Sequence, residues 1–355
     1  MPTPKLMCSL DAARRSPLPG ARRLAGVACA AMLLACSPSP PARAPAAPSG
    51  GAAPAKAPPG GAEPWRSALD RDHALVGKLW DVKAGAFVDV AALTPRLAAA
   101  RFVVLGERHD NPDHHRLQAR VLEQVAAGGR RPRVVFEMLE AQQQPAIAGY
   151  TATRREAAGF GAWIGWERTS WPPYSEYLPI FDVAFRFGLP IVGGNVAQEE
   201  ARALARQGLQ GISPERAAEL RLEQPLPAAE QASLEQELRD SHCGHLPERL
   251  IPTMALAQRA RDAQLAQAMG RAEAGGAVLI AGAGHARRDR GVPYWLSLEA
   301  PGEEVLSLAF LQVQRGVQEP TRYAAQFSTA TLPFDFVWFT PRVSDGDPCA
   351  AFRAR

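Results

Sequence analysis

The sequence lacks the features expected of a membrane-spanning or nucleic-acid-binding protein. Its apolar stretch at residues 24–34 is too short to span a bilayer, which takes about 20 residues. An excess of charge is also missing. The formal net charge is +4, but the first 35 residues hold five of the 40 basic residues and one of the 36 acidic ones. The rest of the chain is therefore formally neutral, and its charge balance gives no reason to expect a nucleic-acid partner.

Residues 1–36 have the pattern of an export signal. Arg22 and Arg23 precede the apolar stretch, which ends in the sequence LLAC at residues 33–36. This ending resembles the lipobox of bacterial lipoproteins, which implies that residues 1–35 are removed and that Cys36 carries a lipid. We therefore expect a protein anchored in the bacterial cell envelope, at the outer membrane, on its periplasmic or surface face. A signal peptide cut elsewhere, or a signal anchor, is the alternative.

Cysteine is scarce, with five residues in the chain. Cys8 and Cys29 lie in the predicted signal and Cys36 is the predicted lipidation site, so Cys243 and Cys349 remain for the folded part. Two thiols in an oxidising compartment favour one disulfide that closes a long loop. Two unrelated buried thiols are the alternative.

The pattern of the remaining sequence predicts an α/β fold. Residues 36–64 are rich in proline, alanine and glycine and predict a tether, so the folded domain is expected at residues 65–355. Short apolar segments alternate there with amphipathic ones, which is typical of a largely parallel sheet with helices on both faces. Residues from about 198 to 272 show no strand pattern and predict a helical insertion.

The individual elements follow from the same patterns. Asn111 as N-cap and Pro112 at the first helical position predict the start of a helix. Further helices are predicted near residues 175–187 and 247–271. The predicted strands lie at residues 102–105, 134–136, 191–193, 277–281, 305–313 and 336–339.

Polar residues unsuited to a core directly follow four of these strands. In an open parallel sheet, ligands bind outside the carboxyl ends of the strands, so these side chains should line one crevice. The glycines that flank two of them permit tight turns and close backbone approach. The residues predicted to line the crevice are Glu107, His109, Glu137, Asn195, His285 and Arg287.

Two imidazoles and two carboxylates in one crevice allow three kinds of chemistry, and the residue types leave all three open. Glu107, His109, Glu137 and His285 can hold a divalent metal such as zinc or manganese. They can act as general acid and base around a water without a metal. They can also form a polar network that holds loops together.

Two neighbouring histidines follow the first crevice segment. His114 shares a helical face with Leu117, so we expect it to point toward the sheet, as a core residue or a ligand. His115 lies about 100° further round the helix and is interpreted as exposed.

Several segments together resemble the ChaN-type haem-binding uptake proteins. The similarity extends from about residue 75 to about residue 350 and implies an α/β fold in an iron-related lipoprotein. It also implies haem binding, in some members as a dimer around stacked haems. The segments are VVLGERHDN at residues 103–111, FEML at 136–139, SHCGHLP at 241–247, GAGHARRDRGVP at 282–293 and WFTPR at 338–342.

The resemblance extends to a superfamily that includes Tiki-type metal-dependent proteases, erythromycin esterases and TraB-like proteins. That superfamily is characterised by two Gly-x-x-His motifs and a glutamate, here residues 106–109, residues 282–285 and Glu137. It implies an alternative in which Glu107 or Glu137 holds a metal together with His109 and His285.

Haem would need an apolar slot and an axial ligand. Tyr174 and Tyr177, which lie among several aromatic residues, are the candidates, although packing in the core explains them equally well. Arg287, beside His285, is available for a haem propionate, and Asn195 for a further contact.

Three hypotheses about function follow. The first is an envelope lipoprotein that binds haem and handles haem or iron, with a homodimer implied by the resemblance. The second is a metal-dependent hydrolase of peptide or ester bonds, so the sequence leaves open whether the protein is an enzyme. The third is a purely structural envelope protein, which would leave the cost of burying the polar strand-end residues unexplained.

Overall fold

The computed structural model describes residues 64–346 and Cys349, and this part of the chain forms an eight-stranded mixed sheet. The strands are β1 (Leu79–Asp81), β2 (Ala86–Val88), β3 (Phe102–Glu107), β4 (Arg133–Glu140), β5 (Ile191–Asn195), β6 (Ala277–Gly282), β7 (Val305–Gln312) and β8 (Phe336–Thr340). Their order across the sheet is β2-β1-β8-β7-β3-β6-β4-β5. The pairs from β8 to β5 are parallel, and β1 pairs antiparallel with β2 and with β8.

This sheet confirms the predicted α/β class, and all six predicted strands are present. The hairpin of β1 and β2 was not predicted. Each of its strands has three residues, and Phe87 in β2 is exposed, so the segment shows no continuous apolar run of the kind that marks a strand buried on both faces.

Helices cover both faces of the sheet. Helices α1–α5 contribute to the core on one face, and α6–α10 to the core on the other. None of the described helices combines the length and the apolar character that crossing a membrane requires. The helices are α1 (Leu93–Ala99), α2 (Pro112–Ala127), α3 (Gln144–Thr153), α4 (Phe160–Ile164), α5 (Tyr174–Arg186), α6 (Gln198–Gln207), α7 (Pro214–Glu219), α8 (Ala228–Ser241), α9 (Ile251–Gly270) and α10 (Val292–Glu299).

Helix α2 begins where its capping residues predict. The side chain of Asn111 accepts hydrogen bonds from the N–H groups of Asp113 (2.9 Å) and His114 (3.3 Å), and Pro112 occupies the first helical position. The cap satisfies N–H groups that no helical carbonyl can reach. It also fixes the loop that leads from β3 into α2.

The chain between β5 and β6 contains α6–α9 and no strand, in the region predicted as a helical insertion. Helix α9 packs against β4, β5 and β6 and so reaches the centre of the sheet. Next to it, the pairing of β4 with β5 shifts register between Phe136 and Glu140. The carboxyl half of β4 is therefore irregular, and Glu137 lies in that stretch.

One guanidinium group holds the opposite, amino-terminal edge of the sheet. Arg130, just before β4, donates hydrogen bonds to the carbonyl groups of Leu97 (2.8 Å), Ala100 (2.7 Å), Arg101 (3.0 Å) and Gly275 (3.0 Å). These carbonyls precede β3 and β6, so a single side chain ties together the starts of three adjacent strands.

A disulfide joins Cys243, which follows α8, to Cys349, with their Cα atoms 5.7 Å apart. The two residues are 106 positions apart in the sequence. This is the pairing predicted from the two cysteines of the folded part. The predicted signal, the tether and the lipidation site at Cys36 lie outside the described residues.

Candidate functional site

Two loops meet at the carboxyl edge of the sheet, one after β3 and one after β6. A Cβ atom at Gly106 would lie 2.6 Å from the Cβ of Ala286 and 3.0 Å from the Cα of Ala283. The N–H of Ala283 donates to the carbonyl of Glu107 (2.8 Å). A side chain at position 106 would force the loops apart, so the first glycine of the β3 motif is needed for their close approach.

Six acidic and imidazole side chains contact one another in a row at this edge. Successive nitrogen–oxygen distances along the row are 2.7, 3.2, 3.7, 2.9 and 2.6 Å. The row contains all four residues predicted as its acid–base or metal centre. We call it the acid–imidazole cluster, and its members in order are Asp262, His285, Glu137, His109, Glu107 and His115.

Glu107, the last residue of β3, is buried and has three partners. Its Oε1 accepts hydrogen bonds from His109 Nδ1 (2.9 Å) and from the hydroxyl of Tyr177 (2.9 Å), and its Oε2 lies 2.6 Å from His115 Nε2. Burial favours the neutral acid, but the charge of His115 and the imidazole hydrogen bonds outweigh it and lower the pKa of Glu107 to about 2. The carboxylate is therefore ionised over the physiological range.

Glu137 lies between the two histidines of the Gly-x-x-His motifs. Its Oε1 is 3.2 Å from His285 Nε2, and its Oε2 is 3.7 Å from His109 Nε2 and accepts a hydrogen bond from the N–H of Gly282 (2.7 Å). Burial opposes ionisation, but the charges of His285 and His109 hold the pKa of Glu137 well below its usual range. Glu137 is thus an anion held between two cationic groups.

Asn195, at the end of β5, lies beside Glu137 as predicted. Its Nδ2 donates to the main-chain carbonyl of Glu137 (2.8 Å), which fixes the irregular part of β4. Its Oδ1 is buried and has no hydrogen-bond partner among the described residues. The side chain therefore supports the cluster from the backbone side and retains one acceptor.

His285 is held from the opposite side by a carboxylate of α9. Its Nδ1 donates to Asp262 Oδ1 (2.7 Å), and Gln258, one turn earlier in the same helix, places its Nε2 3.1 Å from His285 Nε2. Burial disfavours the imidazolium, but the charges of Glu137 and Asp262 prevail and raise the pKa of His285 to about 10. Sequence reasoning did not assign Asp262 to the crevice, because the residue lies on a helix rather than at a strand end.

His109 is the accessible member of the cluster, with 33 % of its side chain exposed. Its ring packs edge-on against Trp171, with 4.9 Å between centroids. Burial of the ring is outweighed by the charges of Glu137 and Glu107, which raise the pKa of His109 to about 9. His109 is therefore the point at which a molecule from solvent meets the cluster.

His115 is buried, so its interpretation as an exposed residue is wrong. It lies between Glu107 and Glu176, whose Oε2 is 3.9 Å from His115 Nδ1, and its ring packs against that of Tyr177 at 4.0 Å between centroids, with the two planes tilted by 34°. The helix face that turns away from the sheet is covered by α5, a contact that the α2 sequence alone does not reveal. His114 points to the sheet, as predicted, and its Nε2 lies 2.8 Å from the hydroxyl of Thr340.

The side chains of the cluster form pairs of opposite charge. Their nitrogen and oxygen lone pairs do not converge on one point where a metal ion could bind. Both ring nitrogens of His109 and of His285 face carboxylate oxygens. Among residues 64–346 and 349, no group of three or more His, Cys, Asp or Glu side chains could hold a metal ion. The interpretation of Glu107, His109, Glu137 and His285 as zinc or manganese ligands is therefore not supported.

The two tyrosines considered as axial ligands are both buried. The hydroxyl of Tyr174 donates to the carbonyl of Ala157 (2.7 Å), and that of Tyr177 donates to Glu107. Burial, followed by nearby carboxylate charges, raises the pKa of both phenols well above the usual value. Tyr174 is a core residue and Tyr177 supports the cluster, so neither is placed as an accessible ligand.

Arg287 is also buried, and its predicted availability for a propionate is wrong. Its guanidinium binds Asp289 (2.6 Å), Glu237 of α8 (3.1 Å), the hydroxyl of Ser233 (2.9 Å) and the carbonyl of Phe327 (2.8 Å). The chain turns after His285, so adjacent residues point to different sides of the loop. Arg287 fixes that loop to α8.

Comparisons with known proteins agree with this architecture. A search of solved structures finds ChaN of Campylobacter jejuni, described as binding haem cofacially, at a TM-score of 0.57 and 16% identity, over 73% of this chain and 95% of that one. A Bacillus cereus protein aligns at a TM-score of 0.38 and 11% identity, over 68% of this chain and 78% of that one. An erythromycin esterase variant in its open conformation aligns at a TM-score of 0.35 and 16% identity, over 69% of this chain and 77% of that one.

The first of these similarities establishes a shared fold, whereas the other two are too low to compare sites. No curated protein matches the sequence. A family model described as haem-binding uptake, Tiki superfamily, ChaN matches residues 93–296, which is more than half of the chain and includes all six cluster residues. The chain therefore belongs to the ChaN family of haem-binding uptake proteins.

Proposed function

We propose that this protein binds haem and takes part in the uptake or handling of haem or iron at the bacterial cell envelope. The observation that carries the proposal is the family match over residues 93–296. Anchoring through a lipid on Cys36 is part of the proposal and rests on the sequence of residues 33–36. So is a dimer, which the resemblance to the family implies.

The acid–imidazole cluster itself does not fit haem. An axial ligand must direct a lone pair at the iron from within an apolar slot. In the cluster, both nitrogens of His109 and His285 face carboxylates, and the phenol of Tyr177 is bonded to Glu107. Haem would have to break these contacts and displace buried charges, so we place haem outside the cluster.

Hemin titration tests the proposal. Adding hemin to the purified mature protein should shift the Soret band and saturate at a defined stoichiometry. Because the cluster is not the ligand, His109→Ala and His285→Ala should retain that response. A linear, non-saturating change in absorbance with the wild-type protein would contradict haem binding.

A second function, hydrolysis without a metal, is favoured by the contacts of Glu137. An ionised carboxylate lies between two imidazoles, one of them oriented by Asp262, and the His109 end is open to solvent. Glu137 would accept the proton of an attacking water, and His109 would donate a proton to the leaving group. The predicted metal-dependent mechanism is replaced here by general acid–base chemistry.

Ester hydrolysis in the presence of EDTA tests this second function. Activity on an activated aryl ester should resist EDTA and fall by about 100-fold or more in His285→Asn, because the imidazole that holds Glu137 is lost. His245→Asn, an exposed histidine outside the cluster, is the control and should retain activity. Equal activity of the two variants would exclude catalysis by the cluster.

A further inference from the structure

A cavity of about 400 Å³ lies along the outer edge of β5, the last strand of the sheet. Helix α9 and the start of α3 pack beside this strand and enclose the cavity with it. Pro190, Ile191 and Ala268 form an apolar part of its wall. None of the six residues of the acid–imidazole cluster lines it, so the cavity is separate from the candidate site.

The charged side chains in the wall of this cavity are two arginines, and its lining includes no acid. Arg133, the first residue of β4, is half-buried and has no carboxylate partner in the described part of the chain. Arg271, which follows α9, lies 3.8 Å from Glu219 Oε1, too far for a hydrogen bond. The other oxygen of Glu219 binds Arg216 at 2.7 Å. The cavity therefore has an excess of positive charge.

A buried amide adds a hydrogen-bond donor of defined orientation. The Oε1 of Gln264 accepts a hydrogen bond from Arg216 (2.5 Å), and because a guanidinium group only donates, this contact determines which end of the amide is oxygen. The Nε2 of Gln264 has no acceptor among the described residues, although the residue is only 5 % exposed and lines the cavity. A buried donor without an acceptor costs free energy, which an oxygen atom of a ligand would offset.

The edge of β5 is closed to a further strand at this cavity. The Nε2 of Gln144 donates to the carbonyl of Ile191 (3.2 Å), and its Oε1 accepts from the N–H of Gly193 (3.1 Å). A peptide that paired with β5 would need these same main-chain groups. The geometry therefore favours a small molecule over an added strand.

A larger cavity, of about 880 Å³ between α2 and α5, does not have this excess of charge. Its lining holds five arginines and four acids. Arg186 pairs there with Glu123 (2.9 Å), and Arg116 with Asp113 (3.4 Å). The unbalanced arginines thus distinguish the cavity beside β5.

We propose that the cavity beside β5 binds a small organic anion, whose phosphate or carboxylate group is held by Arg133, Arg271 and the amide of Gln264. Guanidinium groups bind both kinds of oxyanion through paired, charge-assisted hydrogen bonds. The apolar part of the wall accommodates a short carbon chain. The proposal does not depend on haem binding, because it uses no residue of the cluster and no metal.

Calorimetric titration of the mature protein with inorganic phosphate and, separately, with succinate tests the proposal. At constant ionic strength, at least one of the two anions should bind saturably. Gln264→Glu keeps an acceptor for Arg216 but replaces the donor by a negative charge, so it should weaken binding by about 10-fold or more. Arg271→Gln, at a mostly exposed side chain, should weaken binding without affecting the fold. Arg202→Gln, an exposed arginine of α6 outside the cavity lining, is the matched control and should bind like the wild type.

The outcomes decide for or against the site. Saturable binding of one anion and not the other supports the site and identifies the oxyanion group that it takes. Failure of both anions to saturate the wild-type protein overturns the proposal. Wild-type affinity in both Gln264→Glu and Arg271→Gln overturns it as well, and so does an equal loss in Arg202→Gln, since binding would then lie elsewhere on the surface.

Discussion

At the residue scale, the contact between His109 and Glu137 depends on the absence of a side chain at Gly282. A Cβ atom there would lie 2.8 Å from His109 Nε2 and 3.6 Å from Glu137 Oε2. We expect Gly282→Ala to displace the imidazole and to lower the free energy of unfolding by about 1–3 kcal/mol, measured by urea denaturation.

Gly149, inside α3, provides the matched control. A Cβ atom there would have its nearest neighbour at 3.9 Å, in the ring of Trp163. Gly149→Ala should be neutral or should stabilise the protein by up to about 1 kcal/mol, because alanine favours the helix. Equal losses in the two variants would contradict a specific role for position 282.

The charges of the cluster also predict how stability depends on pH. The pKa of His109 is raised to about 9 and that of His285 to about 10. The folded protein therefore holds these protons more tightly than the unfolded chain, so their stabilisation is complete below about pH 6.5 and is lost as the pH rises through 9 and 10. The pKa of Glu107 is lowered to about 2, so this carboxylate stabilises the fold at neutral pH. That stabilisation is lost as the pH falls toward about 2.

Urea unfolding between about pH 7 and pH 10 measures this effect. The wild-type protein should lose stability over that interval, and His285→Gln should lose less, since its side chain has no proton to release. A variant curve parallel to the wild-type curve would refute the assignment of the alkaline loss to His285.

Sequence reasoning at this scale located the residues that follow strands and missed those that support them from helices. The Gly-x-x-His segments and Glu137 could be assigned to one edge because the carboxyl ends of parallel strands meet. Asp262 and His115 could not, since their roles depend on how α9 and α5 pack. Arg287 was misassigned because adjacency to His285 in sequence does not determine the direction of a side chain in a turn.

At the element scale, α8 is attached to the loop after β6 through the buried guanidinium of Arg287. Arg287 has no exposed side-chain surface and pairs with Glu237 of α8 and with Asp289. The two carboxylates are partly exposed and Glu237 also pairs with Arg290, so the loss of Arg287 removes buried hydrogen bonds without leaving a buried charge alone. We expect Arg287→Met to cost about 1–3 kcal/mol of unfolding free energy, measured by urea denaturation.

The neighbouring Arg288 is the control for this prediction. Its side chain is 45 % exposed and it pairs with Asp335 at 2.7 Å. Exposed pairs contribute at most about 1 kcal/mol, so Arg288→Met should be nearly neutral. Similar losses in both variants would show that α8 is not held through Arg287.

The success of sequence reasoning also differed among the elements. The central strands could be predicted because each is buried on two faces and therefore apolar throughout, as in β6, where all six residues are buried. The start of α2 followed from Asn111 and Pro112. The β1–β2 hairpin at the sheet edge is short and partly exposed. Neither the length of its strands nor an alternation of apolar and polar residues distinguishes it from a loop.

At the scale of the whole molecule, the disulfide connects Cys349 to the loop after α8. It closes a segment of 106 residues, and cross-links over loops of this length restrict the unfolded chain strongly. Replacing Cys243 and Cys349 together by serine should lower the unfolding free energy by about 2–5 kcal/mol.

Two measurements check the disulfide prediction. Titration of the unfolded, unreduced mature protein should find no free thiol from Cys243 or Cys349. Urea denaturation should show the lower unfolding free energy of the double variant. Two reactive thiols in the unreduced protein, or an unchanged midpoint in the variant, would refute a stabilising bridge.

The bonds of Arg130 give the two edges of the sheet different roles. At the amino-terminal edge, one cation holds uncharged main-chain carbonyls, and any sequence that keeps the backbone path supplies these acceptors. Substitutions of acidic residues and histidines at the carboxyl edge do not remove these hydrogen bonds of Arg130. The starts of the central strands are therefore held by a contact that does not depend on which ionisable residues occupy the carboxyl edge.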